Sequence, residues 1–279
     1  MGKRIVSGAA LLAVALGVIW AGGEVLAAVI LLISCIAYRE LNKAIGVHKE
    51  KGIDPLEVFG YLAIICYDAL TYMAWKTGKD MFLYICILLF ATLLTFMAVY
   101  VITFPRYRAE RVMSSFFCLL YAPAMLEFIF KTRCLDNGMI LVWLIFIASS
   151  VSDTFAYFVG VTLGKHKLAP VLSPKKSIEG AIGGIVGTAL FGGVYGYLLG
   201  EGIFSMGRMD VALNFAVLCG VGSVIAQIGD LAASGIKRDH DIKDYGTCIP
   251  GHGGIMDRFD SVLFTAPIIY YLARVMLSL

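Results

Sequence analysis

The stretch MFLYICILLFATLLTFMAVYVITF (81–104) contains no Asp, Glu, Lys, Arg or His. A helix needs about 20 apolar residues to cross a hydrocarbon core of roughly 30 Å, so this run predicts a transmembrane helix. Outward from it the pattern repeats, with apolar runs near 5–20, 24–38, 56–75, 112–130, 138–163, 178–200, 210–232 and 259–278. The expected fold is an all-α integral membrane protein, a polytopic bundle of about nine transmembrane helices, the first two separated by AGGE (21–24). Composition agrees: of 279 residues 59% are hydrophobic and 15% charged, with a mean hydropathy of +0.84, too little polar surface for a soluble globule. The chain 1–279 reads as a single polytopic membrane domain, in which helices 1–135 carry little specific signal and 136–279 carry the motifs.

Orientation follows from the basic residues. With a cytoplasmic amino terminus, 17 of the 23 Lys and Arg fall on the inside, among them Arg39, Lys43, Arg106, Arg108, Arg111, Lys165 and Lys167. Six lie outside: Lys76, Lys79, Lys131, Arg133, Arg208 and Arg274. Such a bias is the positive-inside pattern, and it places both polar motif regions in the cytosol. The setting expected is the cell (plasma) membrane, crossed many times. No cleavable signal peptide is expected: Lys3 and Arg4 precede an apolar run without a small-residue cleavage site. Seven scattered cysteines with no C-x-x-C pair argue against a zinc site or a disulfide framework. The run GAIGGIVGTALFGGVYGYLLG (180–200) pairs Gly180 with Gly184 and Gly192 with Gly196, a spacing that lets helices approach closely.

Against this hydrocarbon background, SGIKRDHDIKDYGTCIPGHGGIMDRFD (234–260) stands out for its charge. Ionisable clusters near a bilayer are costly and read as functional sites. Asp257 and Asp260 lie three apart, so a helix starting near Met256 presents both on one face to one cation. Gln227 and Asp230 end the preceding apolar run with the same spacing, and Ser234 follows Asp230 by four. So sparse a carboxylate set suits magnesium, which completes its octahedron with water and phosphate oxygens. Taken alone, Asp257 or Arg258 reads better as a helix cap and interface anchor; the set together reads as a site. Lys237, Arg238 and Lys243 add positive charge, and PGHGG (250–254) adds backbone amides that can approach an anion, together a triphosphate cradle. His252 is more naturally a hydrogen-bonding group than an acid or base.

A second polar region precedes the first. Asp153, Thr154 and Tyr157 share a helical spacing in SDTFAY, followed by GKHKLAPVLSPKKSIEG (164–180). An intramembrane aspartate needs a partner or water. Lys175 and Lys176, expected at the start of the seventh helix, can meet a phosphate with help from helix amides; snorkelling to the interface is the plainer alternative. Ser173, Ser177 and Glu179 cluster there, with Glu179 a candidate for a capping box.

These residues resemble the phosphatidate cytidylyltransferases, also called CDP-diacylglycerol synthases. The family signature is matched throughout by Ser234, Lys237, Arg238, Lys243, Asp244, Gly246, Pro250, Gly251, His252, Gly253, Gly254, Asp257, Arg258 and Asp260. The upstream SDTFAY and LSPKKSIEG segments are similar too, with Ser177 where threonine is frequent. The resemblance implies phosphatidate plus CTP giving CDP-diacylglycerol and pyrophosphate. It assigns Asp230, Asp257 and Asp260 to a magnesium centre and allows a second cation such as K+. Nucleotide phosphates would go to Lys237, Arg238 and Lys243, beside the signature's Asp244, His252 and Arg258. Lys175 and Lys176 would receive phosphatidate or triphosphate charge, with Asp153, Tyr157, Ser173, Ser177, Glu179, Ser234, Gly251, Gly253 and Gly254 lining the substrates. It also implies membrane lipids as surroundings, no nucleic-acid partner and a homodimer. Two other readings stay open: a CTP-dependent kinase of a lipid alcohol, which would need a base, and a cation-coupled transporter, which would often show related halves.

Overall fold

A computed structural model describes residues 13–48, 54–200, 204–249 and 253–277. The chain is a predominantly helical membrane protein, and its described residues contain seven helices long and apolar enough to cross a bilayer. Residues 13–21 form α1, and Gly23–Ala44 forms α2; the break at Gly22 and Gly23 uses positive φ angles of 60° and 44°. The seven candidate spans are α3 (Pro55–Thr77), α4 (Phe82–Ile102), α5 (Ala109–Arg133), α6 (Gly138–Leu163), α7 (Ile178–Leu199), α8 (Arg208–Asp239) and α9 (Met256–Met276). The two runs at the amino end are not among them, α1 being described only from residue 13.

Local chemistry sets the helix ends. Asp54 caps α3 by accepting from the Leu56 amide at 3.0 Å, with Pro55 in the first turn, where its missing N–H is no loss. Pro123 interrupts the ladder of α5, and the backbone widens into a π turn over Leu120–Ala124. A second π turn, Ile147–Val151, lies in α6 and ends two residues before Asp153, with Ser149 donating back to the Ile145 and Phe146 carbonyls.

The chain groups into two compact units. The first joins residues 1–130 with 240–258, and the second joins 131–239 with 259–279. In the first, α2, α3, α4 and α5 pack together around Tyr38, Leu41, Leu56, Phe96 and Leu126. The Tyr38 hydroxyl meets Ser115 Oγ at 3.0 Å, and Ser115 donates to Asn42 Oδ1 at 2.7 Å, so this buried polar set is internally satisfied.

In the second unit α7 lies between α6 and α8. Its glycines make that possible: a Cβ on Gly180 would stand 2.7 Å from the Ala156 carbonyl, and one on Gly192 would stand 2.6 Å from Cys219 Cβ. The small-residue spacing is thus a packing surface on two sides of one helix. Gly229 plays the same part between α8 and α9, where a Cβ would come within 2.8 Å of the Asp260 carbonyl.

The fold is all-α in its spans as expected, with one short hairpin added: β1 (Lys167–Ala169) and β2 (Ser173–Ser177) pair antiparallel ahead of α7. Also, α8 does not stop near residue 232 but continues to Asp239, so Ser234, Lys237 and Arg238 belong to a helix rather than to a loop.

Candidate active site

The second unit contains a cavity of about 450 Å³ walled by α6, α7 and the hairpin. Asp153, Tyr157 and Gly160 come from α6; Lys167, Lys175, Lys176 and Ser177 from the strands; Gly180 and Ala181 from α7; Gln227 from α8. Lys175 and Lys176 therefore sit on β2 and not in the first turn of a helix, because the strand runs to Ser177 and only then does α7 begin. Ser177 is the N-cap, accepting from the Gly180 amide at 3.2 Å. Ser173 stands at the far end of β2, opposite Ala169.

Glu179 does not close a capping box. Its carboxylate accepts from the Lys165 amide at 3.0 Å and the His166 amide at 3.2 Å, and it meets His166 Nδ1 at 2.6 Å, fastening the hairpin to α7. Gln227 is held by donating to the Ala181 carbonyl at 3.2 Å, above a buried Ser152–Ser223 contact of 2.7 Å.

At one side of this cavity, charge converges. The Lys176 ammonium pairs with Asp230 Oδ2, and both side chains are about three-quarters buried. Asp153 feels the charges of Asp230 and Lys176. Asp260 feels those of Asp230, Lys237 and Asp153. The close approach at Gly229 brings this about, since it lets α9 carry Asp260 past the turn of α8 that holds Asp230. Three carboxylates and two lysines from β2, α6, α8 and α9 thus share one electrostatic neighbourhood. Like charges gathered in a low dielectric repel one another, so this cluster favours cations beside it. Among the described residues, no three Asp, Glu, His or Cys side chains converge tightly enough to chelate an ion unaided.

The first unit holds the remaining signature residues. Lys243 and Asp244 are exposed in the segment after α8, and Arg258 is exposed in the first turn of α9. Asp257 is buried, and its Oδ2 accepts from the Tyr245 amide at 2.8 Å and the Gly254 amide at 3.0 Å. Gly253 has φ of 86°, a left-handed conformation that a side chain would oppose, and its carbonyl accepts from the Ile249 amide at 2.9 Å. Gly251 and His252 lie outside the described residues.

Two contributors escaped the sequence reading. Lys167 was visible only as one more basic residue until the hairpin turned it into the cavity. Glu40, 93% buried at the end of α2, accepts from the Ile255 and Met256 amides at 3.1 and 2.9 Å. Its signal in the sequence was a carboxylate adjoining an apolar run.

Comparison with known proteins places these features in context. The family described as the Cytidylyltransferase family matches residues 2–276. The phosphatidate cytidylyltransferase of Staphylococcus aureus (strain COL) is 38% identical over 163 residues, 56% of this chain and 58% of the relative. That of Bacillus subtilis (strain 168) is 36% identical over 155 residues, 55% of each chain. The matched segment spans a little over half the length of these curated relatives.

Proposed function

The chain belongs to the cytidylyltransferase family, and from that premise we propose that it transfers a cytidylyl group from CTP to phosphatidate. A phosphate oxygen of phosphatidate attacks the α-phosphorus of CTP, the bond to the bridging oxygen of the β-phosphate breaks, and CDP-diacylglycerol and pyrophosphate leave. The observation that carries this reading is the charge cluster at the cavity wall: Lys176 on Asp230, with Asp153, Asp260 and Lys237 in range. Two anions must be brought into contact, so the site's first task is to neutralise and align them. Lys175 and Lys176 supply that charge from the hairpin, and Lys237 from the last turn of α8. The attacking phosphate is already ionised and needs no strong base, which distinguishes this reaction from phosphorylation of an alcohol.

The donor set also fits magnesium. The cluster offers three carboxylates, Asp153, Asp230 and Asp260, of which magnesium would take one or two alongside waters and phosphates. When bound, the ion would draw charge from the triphosphate. Asp230 and Asp260 would hold it, with Asp153 in reach; Asp257, whose Oδ2 holds two backbone amides, serves the loop as well. The multi-pass chain would sit in the plasma membrane, crossing it nine times with the motifs toward cytosolic CTP, as the 17 to 6 split of basic residues supports.

The test is an assay of the purified chain with CTP, magnesium and phosphatidate, following lipid product and pyrophosphate together. Equal formation of both is expected. Phosphate transfer to a lipid alcohol, with release of CDP, would replace this reading.

A further inference from the structure

We infer that Glu40, outside the signature and 215 and 216 positions before the two amides it holds, is the positioning residue of the signature loop. Its two carboxylate oxygens accept from consecutive backbone amides, Oε1 from Ile255 and Oε2 from Met256. Those amides open α9, where unpaired N–H groups and the helix dipole favour a negative charge. Glu40 is therefore the N-terminal clamp of α9, supplied by another helix. Asp257, one residue further on, takes the Tyr245 and Gly254 amides on its own Oδ2. Two carboxylates thus hold four backbone N–H groups of one loop, and charge-assisted bonds of this kind are the stronger class.

The clamp also accounts for two glycines of the signature. A Cβ on Gly246 would stand 2.7 Å from Glu40 Cδ, and a Cβ on Gly254 would stand 2.6 Å from the same atom. Real Cβ atoms do not approach so closely, so a side chain at either position would push the Glu40 carboxylate off its amides. Neither position has the positive φ that marks Gly253. The requirement at 246 and 254 is room for Glu40, not backbone freedom.

Glu40 is not a catalytic residue in this scheme. It fixes the first turn of α9, and through it the setting of Asp257 and Arg258. The effect on turnover rests on the proposed transfer reaction; the clamp itself does not.

The experiment uses the full chain in detergent with Glu40→Gln, Glu40→Ala, Gly254→Ala and the Glu40→Ala/Gly254→Ala double variant. Hydrogen exchange of peptides covering 245–256 reads the clamp directly. Faster exchange there in Glu40→Ala, with an intermediate rate in Glu40→Gln, is expected; unchanged protection would overturn the inference. Kinetics read the consequence: Glu40→Ala should lower kcat about 10- to 100-fold, as loss of a ligand-orienting partner does, with a smaller change in KM for either substrate. Gly254→Ala should slow turnover in the wild-type background and add nothing in the Glu40→Ala background, where the obstructing carboxylate is gone. Additive losses would show that Gly254 answers to something other than Glu40, against the proposal. A wild-type chain inactive on CTP and phosphatidate would refute the transfer reaction, while exchange would still decide the clamp.

Discussion

Asp257 and Asp260 lie one helical turn apart, yet their surroundings differ. Asp257 is tied to two loop amides, whereas Asp260 accepts from the adjacent Ser261, its amide at 2.8 Å and its hydroxyl at 3.4 Å, and feels Asp230 and Asp153 nearby. Replacing each by asparagine should separate the two roles. Asp257→Asn turns an acceptor partly into a donor facing N–H groups and should destabilise the protein by about 1.5–3 kcal/mol, seen as a lower thermal midpoint in detergent. Asp260→Asn removes one of several like charges, so the midpoint should hold or rise while turnover falls by roughly 100-fold or more. Equal thermal losses in the two variants would contradict this division. The lysines separate similarly. Lys175 lines the cavity from β2, while Lys243 is exposed in the segment after α8. Lys175→Ala should raise the KM for phosphatidate about tenfold and Lys243→Ala the KM for CTP by a similar factor, the loss of one charge-assisted contact each. Varying each substrate at saturating levels of the other checks both, and an exchange of the two effects would reverse the assignment. Lys176→Ala is the less informative variant, because it also leaves Asp230 without its ion-pair partner.

At the scale of elements, α7 carries the packing of the second unit. Gly180 faces α6, with a hypothetical Cβ 3.1 Å from Gly160 Cα, whereas the Cβ of an alanine at Gly193 would make ordinary contact at 3.4 Å with Ala216. Gly180→Val should therefore cost about 1–3 kcal/mol through overpacking, while Gly193→Ala stays near wild type; thermal midpoints of the two variants compare them directly. Spacing revealed that α7 had close-approach positions, but not which neighbour each would meet. The hairpin before α7 was less legible still. LAPVLSPKKS (168–177) contains two prolines and too short an alternation to announce strands, and its pairing of Lys167 with Ser177 becomes visible only when both ends are brought together. The extension of α8 to Asp239 was hidden for a related reason: its last turns are polar, and a hydropathy boundary marks where a helix leaves the apolar phase, not where its hydrogen bonds stop.

At the scale of the whole molecule, the distribution of basic residues makes a prediction that a native cysteine can test. Cys248 is exposed in the segment between α8 and α9. With the other six cysteines replaced, an impermeant thiol reagent should label it only after the cell envelope is opened; labelling in intact cells would invert the topology. Membrane residence, the apolar spans and the signature of this chain were all determined by the sequence itself. The physical reason is that transfer of a segment into hydrocarbon is close to a sum over its own residues, and a motif is a local string. Tertiary structure alone decided that Glu40 would clamp amides 215 and 216 positions away, that Lys176 would pair with Asp230, and that Asp153 and Asp260 would stand near them. A helix apolar on every side gives its sequence no preferred face. Its rotation and its partners are set by where side chains and glycines interlock with other helices, and that interlocking exists only in the folded chain.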